Sequence, residues 1–124
     1  MQLNHEIPDY EYALRSADGH RATVNDRVLT ASFILTPSQL VEHWPVAAGT
    51  ALQPADLEPL LRLEPELVLL GTGERQVFPS AAVMAACLTC GIGIEVMANP
   101  AAARTFNVLA GEGRRVAAGF LLGP

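Results

Sequence analysis

A chain of 124 residues, 50% hydrophobic and 17% charged, is long enough for one packed core, too short for two, and too apolar for general disorder. A formal net charge of −5 leaves no basic stripe for phosphate backbones or for an anionic membrane surface, which argues against nucleic acid as a partner. No window reaches the ~18 apolar residues of a spanning helix. The opening residues 1–6 lack the basic and apolar regions of a signal peptide, so the expected location is cytoplasmic.

Residues 1–12 show neither helical nor alternating periodicity and read as an extended or mobile arm. From Arg21 the pattern becomes β-compatible. Residues 21–24, a turn at Asn25-Asp26 and a run over 27–35 predict a β-hairpin beside the main sheet. Thr36-Pro37-Ser38 ends the second strand, and residues 39–45 read as a linker with Trp44 as its apolar anchor. Residues 53–63 place leucines near helical spacing, but Pro59 removes a backbone donor and predicts a short or bent helix.

Leu67-Val68-Leu69-Leu70 is continuously aliphatic, the mark of a strand covered on both faces, and it stops at Gly71-Thr72-Gly73. A brief return to strand is expected at Gln76-Val77-Phe78. A helix should then run from Pro79-Ser80 to about Cys90, with Ser80 as N-cap and Gly91 as stop. Residues 91–97 read as a second inner strand. Asn99-Pro100 predicts a helix start with Asn capping, the helix running to Gly111, and residues 114–122 form the last strand. Strand, helix, strand, helix, strand in this order gives an α/β fold with a largely parallel core and right-handed crossovers.

Few residues suggest chemistry. Cys87 and Cys90 have the spacing of a redox or metal pair, but they fall at a helix C-terminus, where the dipole disfavours a thiolate, and the three histidines lie far upstream. They read as buried structural cysteines, and no metal or cofactor is expected. The Gly71-Thr72-Gly73 segment is either a tight turn or a nest of backbone N–H groups for a ligand, with the Asn99 helix start completing an anion-friendly pocket. Glu95, inside an apparently covered strand, calls for a cation, Arg104, Arg114 or Arg115, and a structural ion pair outweighs a catalytic acid. Glu64 and Glu66 read as solvated charge. No nucleophile elbow is present, and the expectation is a protein without catalytic activity.

The run from Glu66 to Gly73, Gly91-Ile92-Gly93-Ile94-Glu95-Val96-Met97, Arg104-Thr105-Phe106-Asn107-Val108-Leu109 and Glu112-Gly113-Arg114-Arg115-Val116-Ala117-Ala118, with Asn25 and Trp44, resembles the Mth938-like (DUF498) family across nearly the whole chain. The resemblance implies a three-layer α/β fold on a mixed sheet with added β-structure. It marks Gly71, Thr72, Gly73, Glu95, Arg104, Thr105 and Asn107 as pattern positions. Where members of the family often have Thr shortly after the Met, this chain has Ala98-Asn99-Pro100. Mitochondrial relatives include a respiratory complex I assembly factor that acts through other proteins. The implied role is therefore an interaction or assembly module with protein partners and peripheral contact with a membrane complex; the alternative is a small-molecule binder or enzyme using the Gly71–Gly73 pocket.

Overall fold

The computed structural model describes residues 11–124; the expected arm over residues 1–12 lies mostly outside that range. Two sheets share the chain. Strands β1 (Leu14–Ala17), β2 (Ala22–Val24) and β3 (Arg27–Leu29) form a small antiparallel sheet. Strands β4 (Phe33–Leu35), β5 (Leu40–Val41), β6 (Leu67–Gly71), β7 (Gly93–Met97) and β8 (Val116–Phe120) form a mixed sheet in the order β5-β4-β8-β6-β7. β6 pairs in parallel with both β7 and β8, whereas β4 runs antiparallel to β8 and β5.

Alternation along the central strands sorts side chains into two cores. Val68, Leu70, Ala117, Leu121 and Ile34 pack on one face with helix α2 (Ala81–Leu88), Trp44 and the segment formed by a 3₁₀ turn (Pro54–Leu57) and helix α1 (Glu58–Leu61). Leu69, Val116, Ala118, Phe120, Phe33 and Leu35 pack on the other face with helix α3 (Asn99–Gly111) and the small sheet. The result is three layers. The crossovers β6-α2-β7 and β7-α3-β8 move in opposite directions along the sheet and place their helices on opposite faces, so both have the same hand.

Several expected elements change. The run 27–35 is two strands in different sheets, because Ser32 leaves the ladder: its hydroxyl accepts from Leu122 N–H at 2.9 Å and its carbonyl from Trp44 N–H at 3.1 Å. The hairpin gains β1, held where the Asn25 backbone N–H donates to Ala13 C=O and its carboxamide accepts from Ala13 N–H, both at 2.9 Å. Asn25 has φ of 53°, a left-handed turn conformation that Asn tolerates. The 39–45 linker contains β5 at one edge of the mixed sheet, and residues 76–78 are irregular rather than strand. α2 ends at Leu88, and the last strand covers only Val116–Phe120.

The largest correction concerns residues 91–97. β7 is the edge strand beyond β6 and not an inner one. The short α1 agrees with Pro59 in its first turn, and the Ser80 hydroxyl caps α2 by accepting from Val83 N–H at 3.3 Å.

Candidate functional site

Three segments meet where β6 ends. Asn99, the first residue of α3, is wholly buried, and its carboxamide serves all three. Oδ1 accepts from Gly73 N–H at 3.0 Å, while Nδ2 donates to the carbonyls of Asp18 at 2.8 Å and Leu121 at 3.0 Å. The expected cap is thereby corrected: Ala98 occupies the cap position, and Asn99 turns its side chain inward to hold the β1–β2 turn, the β6 exit and the tail after β8. Gly71 follows from the same contact. A Cβ there would run into Asn99 Oδ1 and stand 3.0 Å from Phe120 Cδ2. Gly73 has φ of 106°, a conformation favouring glycine, and its carbonyl accepts from Asn99 N–H at 2.8 Å.

The backbone donors of this turn are used internally. Thr72 N–H donates to Met97 C=O at 2.9 Å, and Gly73 N–H is held by Asn99. The segment is thus not a vacant nest for an anion. The Thr72 hydroxyl instead organises the loop that follows, donating to Arg75 C=O at 2.6 Å and accepting from Val77 N–H at 3.0 Å. Gln76 fixes the same loop to β7, its Nε2 donating to Val96 C=O at 2.9 Å. On this pinned loop Val77 and Phe78 are 59% and 67% exposed. They line a cavity of about 320 Å³ with Gly49–Leu52, Leu70, Thr72, Pro79, Ser80 and Leu121.

The other marked residues lie apart from this cluster. Glu95 is exposed, and among the described residues no Arg or Lys forms an ion pair with it, which overturns the expected buried pair. An edge strand leaves this face open to water, so the carboxylate has no desolvation penalty to offset. Arg104 is exposed, and Arg114 pairs with Glu66 at 3.1 Å. Glu66 also accepts from Arg115 N–H at 2.9 Å; that bond, then Arg114, holds its carboxyl below the ordinary carboxylate value. Thr105 Oγ1 donates to Met97 Sδ at 3.3 Å. The Asn107 carboxamide takes both backbone groups of Leu14, accepting from N–H at 2.9 Å and donating to C=O at 2.7 Å.

Of the two cysteines, Cys87 is buried and Cys90 is exposed, so only the first occupies the core. Burial pushes the Cys87 thiol upward, with the neighbouring Cys90 adding to it, away from a reactive thiolate. Among the described residues no group of three or more His, Cys, Asp or Glu is placed to hold a metal ion. Residue reading missed the burial of Asn99 and the clamp made by Asn107; a polar residue interrupting the apolar face of a helix was the available signal for both.

Fold and site together place the chain in an established class. A family model described as "Protein of unknown function (DUF498/DUF598)" matches residues 14–121, and the chain belongs to that family. The NMR structure of a Xanthomonas campestris protein is 62% identical, with a TM-score of 0.83, covering 99% of this chain and 93% of that one. The solution NMR structure of a Bordetella pertussis protein described as a Mth938-like domain is 26% identical, with a TM-score of 0.72, covering 98% and 92%. The fold is Mth938-like. Two curated relatives are each 30% identical. One is the "13 kDa major membrane protein" of Francisella tularensis subsp. holarctica (strain LVS), aligned over 67% of this chain and 68% of that protein. The other is "NADH dehydrogenase [ubiquinone] 1 alpha subcomplex assembly factor 3" of Rattus norvegicus, aligned over 98% of this chain. The alignment spans 66% of the rat protein's length. Among the described residues no helix is long and apolar enough to cross a membrane.

Proposed function

We propose that this chain is a protein-interaction module acting in the assembly of a larger complex, and that its partner docks on the loop between β6 and α2. The observation that carries this reading is the pair Val77 and Phe78, 59% and 67% exposed on a loop fixed by the Thr72 hydroxyl and the Gln76 amide. Fixing the backbone in advance reduces the entropy lost on docking, and a projecting aromatic beside an apolar cavity is a usual energetic centre of an interface. The name of the rat relative supports an assembly role and points to a respiratory complex as the setting. A cytoplasmic location with peripheral contact to a membrane-bound assembly belongs to the same reading.

The test compares affinity capture from cells of the source organism in mild detergent for the wild-type chain and a Val77→Ser, Phe78→Ser variant. Proteins enriched by the wild type and lost from the variant, with both chains equally folded, are the expected result. The same proteins recovered with both would remove the loop from the account. The cavity of about 320 Å³ favours a second reading, an apolar small ligand. Its sign would be the absence of co-eluting proteins together with a bound small molecule in native mass spectra.

A further inference from the structure

The bonding pattern of β7 leaves one side of the strand open. Gly93 N–H donates to Glu66 C=O at 3.3 Å at the start of β7, and Met97 C=O accepts from Thr72 N–H at the end. In a parallel pair the residues whose backbone groups face the neighbour alternate. Gly93, Glu95 and Met97 therefore turn their N–H and C=O groups to β6, while Ile94 and Val96 turn theirs outward. Among the described residues no strand covers that side, and one outward group is met by a side chain: Val96 C=O accepts from Gln76 Nε2 at 2.9 Å. A carboxamide in that place makes one of the bonds that a neighbouring strand would make.

Charge decides what fits there. Glu95 lies midway along the open strand, exposed and without an ion-pair partner among the described residues. It is level with Leu69 in the parallel register and so projects on the α3 side. Two copies of β7 joined edge to edge by a twofold axis would bring their Glu95 carboxylates together, within molecules that each carry a formal charge of −5. A second copy is therefore disfavoured, and a cationic side chain on an added strand is favoured.

From this we infer that the outer edge of β7 accepts an extended basic segment of a partner protein as an additional strand. Ile94 N–H and C=O and Val96 N–H supply the main-chain hydrogen bonds, Gln76 keeps its bond to Val96 C=O, and Glu95 pairs with a Lys or Arg of the incoming strand. The inference rests on the interaction reading and names the chemistry of the partner.

The test titrates a short alternating Lys–Val peptide, and separately its Glu–Val counterpart, into the ¹⁵N-labelled full chain while the amide signals of Ile94 and Val96 are followed. The Lys–Val peptide is expected to shift both signals and slow their exchange with solvent, and the Glu–Val peptide to do neither. Glu95→Lys, a change at an exposed position, should weaken Lys–Val binding about fivefold or more. Ile94→Pro, which removes an outward donor without breaking a bond to β6, should abolish it if the chain folds. Perturbation confined to Val77 and Phe78, equal binding by the Glu95→Lys chain, or no response of Ile94 and Val96 overturns the edge assignment. None of these outcomes touches the capture result for the β6–α2 loop, so failure of this assignment is separable from failure of the interaction reading.

Discussion

Three backbone groups from distant parts of the chain converge on the carboxamide of Asn99, a wholly buried residue. Truncation to Ala leaves the Gly73 N–H and the Leu121 C=O buried without partners, at a cost of about 1–3 kcal/mol per orphaned group before relaxation. Asn99→Ala is expected to lower stability by ~2 kcal/mol or more in urea denaturation; a change within experimental scatter would show that the node bears no load. Glu66 is the residue whose ionisation should register in a pH series. Its folded carboxyl lies below the ordinary value of 4.5, so its stabilisation is present above that value and is lost as pH falls through the lower folded value. Glu66→Gln should therefore flatten the acid limb of the stability profile relative to wild type, most clearly below the ordinary value. At this scale the residues differ in how much of their role is legible in sequence. Ser80 as a cap was legible because it precedes an apolar helix, whereas Asn99-Pro100 also looks like a cap and only the packing turns the Asn inward.

Elements were legible where burial on both faces leaves a continuous apolar run. β6 was visible from four aliphatic residues in a row, and the burial of Val68, Leu69 and Leu70 on opposite faces accounts for that run. β7 has a similar composition but only one ladder partner, and no periodicity distinguishes an edge strand with one polar residue from an inner strand with a buried ion. The same limit applies to residues 27–35, where a buried hydroxyl divides an apolar run between two sheets. Trp44, legible as an anchor, sets a demand on β8. A Cβ at Gly119 would stand 2.6 Å from Trp44 Cζ3, while the indole N–H donates to Asp56 C=O at 2.9 Å. Gly119→Ala must displace the ring, and a loss of about 1–3 kcal/mol with altered tryptophan fluorescence is expected. Unchanged fluorescence and stability would mean that β8 yields instead of the indole.

At the scale of the whole molecule, the three layers place the carboxyl ends of β6 and β7 beside the loop leading into α2. Thr72, Gln76 and Asn99 spend their hydrogen bonds on fixing that end. The second cavity, about 350 Å³ and lined in part by Thr36–Gln39 and Gly113–Val116, borders the β6 residue Leu67's partner Val116 and so lies toward the opposite end of the parallel strands. The α/β class followed from the alternation of strands and helices, whereas the three layers and the mixed sheet were implied by the family resemblance. The exposure of Val77 and Phe78 did not, because an apolar pair in sequence reads equally well as a strand or as an interface. The most direct measurement of the interaction claim is hydrogen exchange with mass spectrometry on the captured complex and on the free chain. Slowed exchange over residues 72–80 in the complex, with residues 36–39 and 113–116 unchanged, is the predicted pattern. Unaltered exchange over 72–80, or protection confined to the opposite end, would contradict it.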